Sequence, residues 1–120
     1  MGAHIEIRTE GFILEAEGRR LWVTLKEKAG SYEEFRKYVK MCMCGDETVE
    51  NWMLLCKYSA EINKVLVEGG YSYLSGEYWT SDVITTGEEP VARTIELPEG
   101  YLDEYPTRFS VFFRGIKELE

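Results

Sequence analysis

The stretch from Val49 to Asp82, VENWMLLCKYSAEINKVLVEGGYSYLSGEYWTSD, restricts the possible folds more than any other part of the chain. Its apolar residues Val49, Trp52, Met53 and Cys56 fall at i, i+3, i+4 and i+7, one face of a helix. Ser59 is a good N-cap for a second helix, in which Ile62, Val65 and Leu66 continue an apolar face until Gly69 and Gly70 end it. Tyr71, Tyr73, Tyr78 and Trp79 then arrive within nine residues, more aromatic surface than a solvent loop carries. Two amphipathic helices running into an aromatic strand need a sheet to pack on. Trp79 is accordingly expected in the core and not as an exposed platform.

The N-terminal segment supplies strands for that sheet. His4 to Arg8 alternates, with Ile5 and Ile7 on one face, and Gly11 breaks the run. Phe12–Ala16 and Leu21–Leu25 form a hairpin pattern turning at Glu17-Gly18-Arg19. Leu21, Val23 and Leu25 point one way and Trp22 and Thr24 the other, so the second face is expected to be partly covered. A first helix follows: Ser31 is its N-cap and Glu34 completes a capping box. Phe35, Tyr38, Val39 and Cys42 make its buried face, and Arg36, Lys37 and Lys40 its solvated one. Gly45-Asp46 ends it, and Asp46 or Thr48 starts the next.

The C-terminal half alternates strands with connections. Tyr78–Ile84 and Val91–Leu97 are strand candidates, Pro98-Glu99-Gly100 is a turn, Tyr101–Pro106 reads as an acidic aromatic loop, and Thr107–Ile116 as the closing strand. Two long connections, Thr85–Pro90 and Pro98–Pro106, are expected to carry much of the acidity. Between Ser75 and Tyr105 there are eight acids and one base, a net −7 out of the chain's −8. A patch of that sign repels nucleic-acid phosphate and anionic membranes and attracts basic partners or cations. The same charge also serves solubility.

A chain of 120 residues with 44% hydrophobic content has room for one core, so residues 1–120 are expected to form a single domain. No apolar run approaches the roughly 20 residues of a membrane span. MGAHIEIRTEG lacks an apolar signal core, which points to the cytoplasm unless a leader has been removed. Cys42, Cys44 and Cys56 are an odd count with no paired framework, the pattern of reduced thiols. Cys42-Met43-Cys44 is spaced too tightly for a common zinc motif and His4 is the one histidine, so no metal or other cofactor is expected. A catalytic nucleophile with an adjacent base is not evident either. Carboxylate pairs are too frequent among twenty-two acids to single out a glycosidase.

ENWMLLCKYSAEIN (50–63), Gly69-Gly70, Tyr78-Trp79-Thr80-Ser81 and Phe113-Arg114 together resemble one bacterial branch of the C-type-lectin-like domains, a family of domains of unknown function. Its members carry an amphipathic helix of this type, a Gly-Gly stop, a Tyr-Trp-Ser/Thr-Ser strand and an aromatic-Arg end. The resemblance spans roughly residues 10–118 and is strongest over 50–82. It implies an α+β fold in which two or three helices pack on a mainly antiparallel sheet with long C-terminal loops. The chain departs from the family's Trp-Arg-Leu-Pro stretch at Cys44-Gly45-Asp46-Glu47. Glu89-Pro90-Val91 and Trp79-Thr80-Ser81-Asp82 stand where calcium-binding lectins have Glu-Pro-Asn and Trp-Asn-Asp, so the calcium site does not carry over. Glu88, Glu89, Asp103 and Glu104 would supply only some of the six to eight oxygens that calcium takes. The thiol chemistry of one enzyme branch does not carry over either.

These readings converge on a non-catalytic recognition module for a protein or glycan with a basic surface. Its candidate contact residues are Glu88, Glu89, Arg93, Tyr101, Asp103, Glu104 and Tyr105, on connections held by a rigid base. The alternative is a small acidic intracellular inhibitor of the phage-encoded kind that fills a basic nucleic-acid-binding groove of a host enzyme. Direct binding to nucleic acid or to a membrane is not expected.

Overall fold

The computed structural model describes residues 2–84 and 88–120. The fold is α+β. In chain order the elements are β1 (His4–Ile7), β2 (Gly11–Ala16), β3 (Arg19–Thr24), β4 (Lys28–Gly30), α1 (Tyr32–Met41), α2 (Val49–Lys57), α3 (Ser59–Glu68), β5 (Gly76–Ile84), β6 (Val91–Leu97), β7 (Tyr101–Pro106), β8 (Val111–Phe113) and β9 (Ile116–Leu119). They make a four-stranded sheet, β1-β2-β3-β9, and a five-stranded one, β4-β8-β5-β6-β7. Among the described residues only β5 and β8 pair in parallel, at the single position Tyr78↔Phe112. No helix among the described residues is long and apolar enough to cross a membrane.

The hairpin forms where it is expected, with Glu17 and Gly18 both at positive φ (54° and 74°), the backbone that a two-residue turn between twisted strands requires. Its tip docks on the helices: the Tyr58 hydroxyl donates to Glu17 at 2.9 Å, and Lys57 pairs with the same carboxylate. Helix α1 begins with the capping box, Ser31 accepting from the Glu34 amide and Glu34 from the Ser31 amide. Thr48 caps α2 by accepting from the Asn51 amide at 3.1 Å.

The larger core lies between the first sheet, helices α2 and α3, and one face of the second sheet; Phe12, Leu14, Leu21, Trp52, Leu55, Ile62, Leu66, Tyr78 and Ile95 are among its members. Trp52 stacks on Tyr78 with ring centroids 4.7 Å apart. A smaller core, with Tyr32, Phe35, Val39, Trp79, Ala92, Val111 and Phe113, lies between α1 and the opposite face. Neighbouring side chains on a strand point to opposite faces, so Tyr78 and Trp79 each enter a different core and both are wholly buried. The Trp79 indole N–H donates to the Gly30 carbonyl at 2.9 Å, and Tyr32 meets its ring edge-on at 5.3 Å.

Four expectations are corrected. Ser59 does not cap α3: Tyr58 holds that position without a side-chain cap, and Ser59 is buried. The break between α2 and α3 is one residue long, so the second helix runs on from the first instead of starting from a loop. The buried face of α2 is Asn51, Trp52, Leu54 and Leu55, while Met53 is 39% exposed. The Met53 side chain instead lies against the β6–β7 turn, its Sδ 3.4 Å from where a Cβ on Gly100 would sit, while Cys56 is half-buried against the larger core as expected.

Tyr101–Pro106 is not a loop but strand β7, paired in register with β6 from Glu96↔Tyr101 to Val91↔Pro106. The turn before it is short and Gly100 takes a positive φ of 81°, which folds the chain straight back onto β6. Residues 107–116 are not one closing strand. The chain leaves the second sheet after Phe113 and joins the first at Ile116, crossing at Arg114-Gly115. Gly115 is needed there, since a Cβ would come within 2.9 Å of Cys44 Sγ. Arg114 is fully buried and spans the crossing, donating to the carbonyls of Thr24 and Leu25 at 3.1 Å and of Ser72 at 2.8 Å, and pairing with Glu27 at 3.3 Å.

Candidate functional site

The acids of the Ser75–Tyr105 segment are not displayed on long connections. Glu77 and Asp82 belong to β5, Glu96 to β6, and Asp103 and Glu104 to β7, which leaves Glu88, Glu89 and Glu99 on connecting segments. Residues 85–87 of the first expected connection lie outside the described residues. Strand β7 accepts so polar a sequence because it is an edge: one side pairs with β6, the other meets water, and neither face needs a full apolar row.

Strand alternation divides the candidate residues between two faces. Leu102 and Glu104 stand opposite Ile95 and Arg93 on the face that carries the larger core. There Arg93 lies between two carboxylates, 3.8 Å from Asp82 and 3.7 Å from Glu104. Arg93, Leu102, Asp103 and Glu104 line a shallow cleft of about 350 Å³. Tyr101, Asp103 and Tyr105 stand opposite Glu96, Thr94 and Ala92, toward the α1 face. Tyr101 is 66% exposed. Glu89 is drawn to the far end of the sheet by Arg108, 2.6 Å away, and Glu88 beside it is exposed. The structure therefore unites Arg93 and Glu104, sets Tyr101, Asp103 and Tyr105 on the reverse side, and separates Glu88 and Glu89 from both.

Tyr105 leads to a second feature. Its hydroxyl donates to one oxygen of Glu77 at 2.6 Å, and the Thr94 hydroxyl donates to the other at 2.7 Å. The hydrogen bond to a carboxylate, which favours the neutral phenol, pushes the Tyr105 pKa up to about 12. Glu77, Tyr105, Phe109, Val111 and Phe112 surround a cavity of about 330 Å³. It opens where β5 and β8 diverge from their single bridge. Tyr105 stacks on Phe109 with centroids 6.0 Å apart, and Phe109 and Phe112 remain about two-fifths exposed (40% and 41%). Glu77, Phe109 and Phe112 were not singled out by the sequence. The signal that reaches them is alternation, once residues 101–106 are taken as a strand.

Elsewhere the chemistry is muted. Burial pushes the Cys44 thiol up to about 12 and the Cys56 thiol up to about 11, so neither is an activated thiolate. His4 is exposed on β1. Among the described residues no three His, Cys, Asp or Glu side chains gather where they would hold a metal ion. The chain matches no protein-family model, no curated protein and no solved structure.

Proposed function

We propose that this chain is a non-catalytic recognition module that binds a protein with a basic surface through β7 and the face it shares with β6. The observation that carries the reading is β7 itself. It is a six-residue edge strand, whereas the other edges, β1, β4 and β9, have four, three and four residues. Proteins commonly keep sheet edges short or charged to avoid indiscriminate pairing. This one is long, and it exposes Tyr101 and Leu102 beside Asp103 and Glu104. Acids along such an edge keep two copies apart while admitting a cationic partner, and tyrosine supplies contact area at low entropic cost.

The lectin-like reading of the fold belongs to the same proposal. It is supported by the motif residues over 50–82 and by the order of strands, helices, aromatic strand and meander. The second reading, an inhibitor of a nucleic-acid-binding enzyme, uses the same acids and is favoured by their position on ordered strands.

The test is capture of partners on immobilised protein at low and high salt. Asp103→Lys combined with Glu104→Lys is expected to abolish capture, while Glu61→Lys with Glu68→Lys on the exposed side of α3 leaves it intact. Raised salt weakens the interaction, because exposed charges are screened over about 10 Å at 0.1 M. Equal capture by both variants sinks the proposal. Displacement of the partner by duplex DNA selects the inhibitor reading.

A further inference from the structure

We propose that the cavity between β5, β7 and β8 receives the cationic head of a lysine or arginine side chain from the partner, with Glu77 as the anchor and Tyr105 and Phe109 as the aromatic wall. The lining is mostly apolar and holds one formal charge. Among the described residues no lysine or arginine pairs with Glu77. The hydroxyls of Thr94 and Tyr105 fix both of its oxygens in place and use one acceptor position on each, so further acceptor positions remain.

Complementarity then selects the occupant. A wholly apolar group would strip water from the carboxylate without replacing it, which is costly. An anion would meet Glu77 head-on, with Glu96 and Asp103 close enough to act on the adjoining Tyr105 hydroxyl. A cation on an alkyl stem satisfies both parts: the stem lies against Phe109 and Val111, and the charge meets the carboxylate and the negative ring faces. Arg108 already shows this chemistry at the rim, its guanidinium 4.9 Å from the Phe109 centroid while it pairs with Glu89. At about 330 Å³ the space lies near the lower end of the roughly 300–1,000 Å³ typical of ligand pockets, a fit for one side chain and not for a large cofactor.

The inference rests on the recognition reading for the source of the side chain, but the cavity's preference for a cation stands by itself. The experiment is a titration of the protein with N-acetyl-lysine-amide, N-acetyl-arginine-amide and neutral N-acetyl-norleucine-amide, followed by amide chemical shifts. The cationic amides are expected to perturb signals around Glu77, Tyr105, Phe109 and Phe112, and the norleucine amide is not. Glu77→Gln keeps the side-chain shape and should weaken binding about tenfold or more. Phe109→Ala, at a partly exposed position, should weaken it severalfold, with dispersed spectra showing that both variants fold. Shifts located elsewhere, equal binding of norleucine amide, or undiminished binding to Glu77→Gln overturns the inference. Asp103→Lys with Glu104→Lys separates the two proposals: partner capture is lost while the cationic amides still bind the cavity.

Discussion

Gly11 shows how a single missing side chain sets the packing of the first sheet. A Cβ at that position would lie 2.4 Å from Cε2 of the Trp22 indole, with two further ring atoms within 2.7 Å. The ring is rigid and cannot yield as the end of a lysine can. Lys117 covers Trp22 further, its ammonium 5.8 Å from the ring centroid. Gly11→Ala is therefore expected to destabilise the fold by about 1–3 kcal/mol, the usual cost of overpacking, read as a lower urea midpoint at unchanged slope. In sequence Gly11 marks a strand break; its packing role depends on Trp22 reaching across from the paired strand. The same limit applies to Arg114. Its place at the end of an aromatic strand is visible in the chain, but the three carbonyls and the carboxylate it bridges come from residues 24 to 72.

For the helices, local chemistry was legible wherever the terminus is genuinely local. Ser31 with Glu34, and Thr48, cap as their spacing implies because the donor and acceptor are three residues apart. Ser59 has the right side chain, yet the helix before it leaves no free terminus to cap. Ser31→Ala and Thr48→Ala should each cost about 1 kcal/mol by urea denaturation, whereas Ser59→Ala should not show that capping loss. A comparable loss at Ser59 would mean that it caps after all. Strand β7 is the reverse case. Tyr-Leu-Asp-Glu-Tyr-Pro has little of the apolar alternation that identifies strands, and it is ordered by six residues of β6, Val91 to Glu96, presented across a tight turn.

Across the whole molecule, Glu47 ties the parts together. It lies between α1 and α2, wholly buried; one carboxylate oxygen accepts from Ile116 at 2.7 Å and from Gly45 at 3.1 Å, and its own carbonyl accepts from Ser81 at 2.8 Å. One residue thus joins the α1–α2 connection to β9 of the first sheet and β5 of the second. The other carboxylate oxygen has no hydrogen-bond partner among the described residues. Loss of water outweighs the two backbone donors and the nearby Arg36, and raises the pKa from 4.5 to about 7. A raised carboxyl pKa means that the folded state holds the proton more tightly than the unfolded chain does. Its stabilising contribution is complete below 4.5 and is lost as pH rises through about 7, on the order of 3 kcal/mol in all. Melting temperatures measured from about pH 4.5 to about pH 8 should therefore fall more steeply for the native protein than for Glu47→Gln. Parallel curves would show that this carboxyl titrates normally.

By itself the sequence determined the elements whose signals are carried within a few residues: the N-terminal hairpin, three helical segments, the Gly69-Gly70 stop and the strands around Trp79 and Val91–Leu97. It also determined that Trp79 would be core, because an aromatic strand beside amphipathic helices has to be covered. Only the tertiary structure decided that residues 101–106 form an edge strand, that the chain changes sheets at Arg114-Gly115, and that Glu77 meets Tyr105 and Thr94. Each of these depends on a partner 17 or more residues away in the chain or on a register set by a turn. Side-chain periodicity records which face of an element is apolar, but pairing between distant strands determines what each polar side chain meets.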